Sequence, residues 1–160
     1  MTTTIRDTKA ALLTRWDADT DLGASTTQPI QISRGSVYPT KMEGEYIEIS
    51  DTRAGAGEAH QGLGTDAKDE NYIIEIIISI VRSARENYAT LEDRAFVIYG
   101  HLWDSIIDWR TESPSFNGIS GWMEVRVKSS NEFLVAESTT NQLKERECRI
   151  TLDLEVTTRI

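Results

Sequence analysis

The sequence predicts an α+β domain: a mainly antiparallel β-sheet packed with two helices, with one long β-hairpin carrying a glycine-rich loop. Three observations predict it. From Glu145 to Arg159, Cys148, Ile150, Leu152, Leu154 and Val156 alternate with Arg149, Thr151, Asp153, Glu155 and Thr157, and strict period two marks a long strand with one buried and one wet face. A wet face indicates antiparallel company, because parallel strands are covered on both sides and read as apolar throughout. Asn71 to Arg82 carries β-branched residues at a density that suits a strand better than a helix. Leu91, Ala95, Ile98, Leu102, Ile106 and Trp109 recur at helical spacing.

The remaining elements follow in chain order. Thr2 to Thr4 can cap a first helix over roughly Ile5 to Trp16, whose Ile5, Thr8, Leu12 and Trp16 share one face. Asp17 to Gln28 is polar and reads as a loop, and Ile30 to Arg34 as a short strand punctuated by Pro29, Gly35 and Pro39. Glu45 to Ser50 alternates and reads as a strand. Thr52 to Glu70 holds Gly55, Gly57, Gly62 and Gly64 without apolar periodicity, and reads as a long mobile loop. In the strand after it, Ile74, Ile76, Ile78 and Ile80 should face the core. Ile73, Ile77 and Val81 in the opposite row are too apolar for open solvent and point to a second layer or a subunit contact. Strands Glu45–Ser50 and Asn71–Arg82 pair as a hairpin around the loop. Thr90 with Asp93 looks like a capping box for the helix from about Leu91 to Trp109, which Phe96, Tyr99 and Trp103 broaden. Thr111 to Ser120 forms a loop, then come strands at Trp122–Val127 and Glu132–Thr139, a turn at Asn141, and the terminal strand.

At 160 residues the length suits one domain, 1–160, able to bury a core. The formal net charge of −9 argues against a nucleic-acid clamp, which needs a basic face for the phosphates. An acidic wall would instead let DNA slide past. Cys148 is the single cysteine, so no intrachain disulfide forms, and its place in the apolar row makes it a buried hydrophobe. The N-terminus lacks a signal-peptide core, and the longest apolar run, Ile73 to Val81, is broken by Glu75 and Ser79. The expectation is a protein made in a cytoplasm, with no membrane partner.

No motif for catalysis or a cofactor is found. A phosphate loop needs Lys followed by Ser or Thr, whereas Lys68 is followed by Asp69 and then a strand. The dinucleotide fingerprint has His60 where glycine is required. His60 and His101 are the two histidines; His101 and Asp104, three apart on a helix, read as a helix or surface contact rather than metal ligands. No serine sits in a nucleophile-elbow context. Glu145 and Glu147, interleaved with Lys144, Arg146 and Arg149, read as a salt-bridged strand end. Trp103, Trp109 and Trp122 read as core or interface aromatics.

Taken together, an N-terminal helix, the strands TKMEGEYIEIS and ENYIIEIIISIVRS around the glycine-rich loop, the helix TLEDRAFVIYGHLWDSIIDWR and the terminal strand ERECRITLDLEVTTRI resemble the tail terminator (tail completion) proteins of long-tailed bacteriophages. The resemblance implies a structural virion protein and not an enzyme. It implies a homo-oligomeric ring, a hexamer, that caps the tail tube, ends its polymerisation and meets the head completion or connector protein. DNA passes through the centre without specific binding, and no metal or cofactor is implied. The protein would sit in the virion tail after assembly in the host cytoplasm. The loop residues Arg53, Gly55, Gly57, His60, Gly62, Gly64 and Lys68 are then candidate contacts to a partner. Ile73, Ile77, Val81, Arg149, Asp153 and Glu155 are candidate subunit-interface residues. A head–tail connector or tail tube protein shares parts of the layout. A small ligand-binding or enzymatic α+β domain is the reading from another class, with a pocket between the long helix and the sheet lined by Tyr99, His101 and Trp103.

Overall fold

A computed structural model of the chain describes residues 4–27, 30–35, 43–54, 69–83, 85–112, 122–127, 134–140 and 145–159. The elements are α1 (Ile5–Ala18), β1 (Gln31–Arg34), β2 (Gly44–Ala54), β3 (Asp69–Ser83), α2 (Tyr88–Glu112), β4 (Trp122–Val127), β5 (Leu134–Thr140) and β6 (Glu145–Arg159). This is the expected α+β fold, with antiparallel pairing everywhere but at one edge, where β1 runs parallel to β2. The sheet order is β1-β2-β3-β6, and β4 and β5 both pair the far edge of β6. Val127 lies opposite Leu154 and Leu134 opposite Thr151, so β4 and β5 follow one another in the same direction along that edge. The length of β6 follows from this position: it pairs β3 from Glu145 to Arg159 and carries β5 and β4 in succession on its other side.

The alternation read from the sequence sets the two faces. Ile32, Ile47, Ile78 and Ile150 lie side by side across four strands, with Ile49, Ile76 and Leu152 in the next row. All but Ile32 are buried, and together with Ile74, Ile80, Cys148, Leu154 and Val156 they make one core with both helices. Leu91, Ala95, Ile98, Leu102, Ile106 and Trp109 come down onto this face from α2, and Leu12 and Trp16 from α1. Each fully buried Leu or Ile contributes about 1.5–3 kcal/mol relative to exposure, so this face holds most of the fold's driving force.

Polar contacts fix the helices on the sheet. At the start of α1, the Thr4 N–H and hydroxyl both donate to the Glu70 carboxylate, at 3.1 and 3.0 Å. The hydroxyls of Thr4, Thr8, Tyr72 and Thr158 join in one buried cluster. The Thr4 side chain makes no cap bond of its own; the carboxylate from β3 satisfies the helix terminus instead. Lys9 Nζ donates to the Ser50 carbonyl, where β2 carries one extra residue between Ile49 and Thr52. At the other side Glu45, buried in the helix-side row, accepts from Arg94 of α2 at 2.8 and 3.0 Å and from Arg82 of β3 at 2.8 Å.

Several expectations are corrected. Thr90 lies inside α2, and the cap is Asn87, whose Oδ1 accepts from the Ala89 N–H at 3.1 Å. Strand structure takes Thr52–Ala54 and Asp69–Glu70 from the expected loop, because the extra residue in β2 restores its pairing with β3. The segment after α1 is not polar throughout: Leu22 is fully buried, and the Gly23 N–H donates to the Trp16 carbonyl at 3.0 Å. A Cβ on Gly23 would lie 2.6 Å from the Asp17 backbone, so only glycine fits that turn. Phe96 and Trp103 do not widen the core stripe of α2; they point outward. The strand expected from Glu132 is described from Leu134. Thr2, Thr3, Glu132, Phe133, Asn141, Lys144 and most of the expected loops at 55–68 and 113–121 lie outside the described residues. No helix among the described residues is long and apolar enough to cross a membrane.

Candidate assembly surfaces

The six residues proposed for a subunit interface all fall on the sheet face away from the helices. Ile73 pairs Glu155, Glu75 pairs Asp153, Ile77 pairs Thr151 and Ser79 pairs Arg149. The row continues onto β2 and β4: Arg53 lies beside Ile73, Glu48 beside Ile77, Tyr46 beside Ser79, and Arg126 beside Glu155. The structure therefore brings these residues together, but it does not leave all of them accessible. Ile73, Val81 and Asp153 are buried within the single chain, as are Tyr46, Glu48 and Ser79. Ile77 and Glu155 are half-buried, and Arg149 is exposed. Arg53, one residue before the end of β2, forms an ion pair with buried Asp153 across the strands. The accessible strip of this face thus runs through Glu75, Ile77, Thr151, Glu155 and Arg149. Of the proposed loop contacts, Arg53 is the one described; Gly55, Gly57, His60, Gly62, Gly64 and Lys68 lie outside the described residues.

A second surface was not read from the sequence. On the outer side of α2, Phe96, Val97, Trp103 and Ile107 keep 41%, 47%, 38% and 42% of their surface in solvent. Phe96, Gly100, Trp103 and Ile107 stand at i, i+4, i+7 and i+11, one continuous stripe at helical spacing. It runs opposite the stripe that seals the core, so α2 has two apolar faces on one helix. Gly100 leaves a gap in this outer stripe: a Cβ there would meet nothing within 4 Å. Tyr99 and Trp103 lie with ring centroids 6.3 Å apart and planes tilted by 43°, which holds the Trp103 indole against the helix. Beside the stripe runs an acidic row, Asp93, Asp104 and Asp108, all exposed.

The signal for this surface was present in the sequence. A helix buried on one face should be polar on the other, and α2 instead repeats large apolar residues out of phase with its core stripe.

The remaining site expectations resolve as follows. Trp103 and His101 do not line a pocket between α2 and the sheet: Trp103 faces outward, and half-exposed His101 lies 3.9 Å from Asp21 in the turn after α1. Among the described residues no group of three or more His, Cys, Asp and Glu could hold a metal ion. Cys148 is fully buried, 3.6 Å from the Tyr88 hydroxyl. Arg149 pairs with Glu147 at 3.5 Å, the salt-bridged strand end that the alternating charges indicate.

Burial raises the Tyr72 hydroxyl above the ordinary phenol range, against its bonds to Thr4 and Thr8. The bidentate bond to Glu45 raises Arg94.

No model of a known protein family matches the sequence, and no curated protein matches it. Among solved structures, the chain is similar to one from a structure described as the virion of native gene transfer agent (GTA) particle. The two share 14% sequence identity with a TM-score of 0.46, over 93% of each chain.

Proposed function

We propose that this chain is a structural protein of a phage-type virion that ends a tail tube. Subunits close into a ring, a hexamer by the resemblance. The ring occupies the growing end of the tube, halts its polymerisation and presents its other side to the head connector, while DNA passes through the centre. The protein acts by assembly and not by catalysis, and needs no cofactor. The observation that carries this reading is the outer face of α2, set within the element order that resembles the tail terminators. A chain that seals its core with one face of its main helix, yet keeps four large apolar side chains in solvent on the other, is built to lose that surface to a partner. The accessible strip on the opposite side of the sheet, through Ile77 and Arg149, supplies a second and different surface. A capping ring needs contacts of two kinds, between its own subunits and to the tube or connector, and the two surfaces can divide them.

A cap acts once per tube, whereas a protein that sequesters tube subunits acts once per subunit. The test is light scattering during polymerisation of the tube protein encoded with this chain. Growth should stop at a ratio far below one chain per tube subunit. Inhibition that needs equimolar protein, or no inhibition, overturns the reading; spontaneous tubes of this chain by itself would make it a tube subunit.

A further inference from the structure

We infer that the outer face of α2 docks a different protein, one that presents an apolar helix or ridge flanked on one side by Lys or Arg, and that it does not pair with a second copy of this chain. The inference rests on the assembly reading in one respect, that this surface is covered in use.

Three features of the surface define the occupant. The first is shape. Phe96 and Val97 lie on one side of Gly100 and Trp103 and Ile107 on the other, so the stripe is a ridge with a gap at its middle. An approaching helix can set a side chain into that gap between two aromatic anchors, as helices meet ridge to groove. The gap has no purpose within the chain, because nothing there comes near a Cβ at position 100. Glycine in a helix interior costs roughly 1 kcal/mol relative to alanine. The second feature is charge. Asp93, Asp104 and Asp108 form a row one step round the helix from the stripe, with Val97 among them. Carboxylates along one border of an apolar contact select a partner with cations on the matching border, and repel one with anions there.

The third feature opposes antiparallel self-pairing. Two copies related by a two-fold axis perpendicular to their α2 helices would lie antiparallel, and the same flank of each helix would then meet the other. The acidic row would face itself, between chains that each carry a net charge of −9. Like charges so placed oppose that dimer. With the sheet-face strip given to the neighbouring subunit, the stripe is the contact to a protein above or below the ring.

The test uses the full chain and two synthetic amphipathic helical peptides that share a leucine stripe, one flanked by lysines and one by glutamates. Binding is followed by calorimetry and by tryptophan emission. The lysine peptide should bind with a blue shift in emission, and the glutamate peptide at least tenfold more weakly. The triple variant D93N/D104N/D108N should lose that preference. Gly100→Leu, which fills the gap at a position open to solvent, should weaken the lysine peptide by tenfold or more while leaving thermal unfolding intact. Trp103→Phe should keep the binding heat and lose most of the emission shift, which places the peptide on this face. Equal binding of both peptides, or no binding, overturns the inference. So does concentration-dependent self-association that Gly100→Leu abolishes, since that outcome gives the face to a second copy. Capping of tubes by the unaltered chain is scored separately: failure to cap counts against the tail reading, and lost peptide selectivity counts against the docking assignment.

Discussion

Three side chains make the clearest predictions at the residue scale. Gly100 sits in the middle of a 25-residue helix with open space where its Cβ would be. Gly100→Ala should therefore stabilise the chain by about 0.5–1 kcal/mol in denaturant titration. Asn87 caps the same helix through its side chain, and Asn87→Ala should cost about 1 kcal/mol. Tyr72 gives a pH dependence. Burial holds its hydroxyl protonated above the range in which an unfolded tyrosine ionises, so between the two pKa values the unfolded chain has released a proton that the folded chain keeps. Stability is complete below about pH 10 and falls as pH rises past it. Urea titrations across that range should show the fall, and Tyr72→Phe should flatten it while losing the hydroxyl contacts to Thr4 and Thr8 at all pH values. The sequence displayed the alternating residues of the terminal strand but not the state of these three. A cap, an open glycine and a buried hydroxyl each depend on neighbours far away in the chain or, for Asn87, on a helix starting one turn earlier than its apolar stripe.

At the scale of elements, legibility follows periodicity. The terminal strand was readable to its ends because one residue in two is apolar over its whole length and both its edges are paired. The helix α2 is legible as a helix, yet the identity of Phe96 and Trp103 suggests core while their angular position on the helix places them outside it. Ile73 and Val81 are too apolar for open solvent, which leaves a second layer or a subunit contact open; the chain buries both itself, and burial from within the fold is a property of the tertiary arrangement that no local pattern carries. Parallel pairing of β1 with β2, and the succession of β4 and β5 along β6, are likewise choices of long-range register. Glu45 was legible in principle, since it shares parity with Ile47 and Ile49, and a carboxylate in an apolar row demands a partner. That partner set joins α2 to the sheet, with Glu45 itself 4% exposed. Glu45→Ala leaves Arg82 and Arg94 facing each other without the anion and should destabilise by about 1.5–3 kcal/mol, less than for a fully buried pair because both arginines reach solvent. The amides of the first turns of α2 should show the largest rise in hydrogen exchange. An equally small effect from Glu45→Ala and from an exposed acid such as Asp93→Ala would contradict that role.

At the scale of the whole molecule, the division of labour is between one sealed face and two others. The helix side of the sheet is closed by α1 and α2, the far side keeps a narrow accessible strip, and α2 turns a second apolar stripe outward with an acidic border. In the proposed assembly such a chain meets its partners through these surfaces, and its affinity for a basic-bordered partner should weaken with salt, as attraction between exposed charges does. The resemblance to tail terminators supplied the specific role, and the fold class agrees with the layout on which that resemblance stands. The measurement that tests the central claim most directly is negative-stain electron microscopy of the tube protein encoded with this chain, assembled with and without it. The account predicts tubes of restricted length, each with a ring of added density at one end. Tubes of unrestricted length with bare ends in the presence of the protein would contradict it.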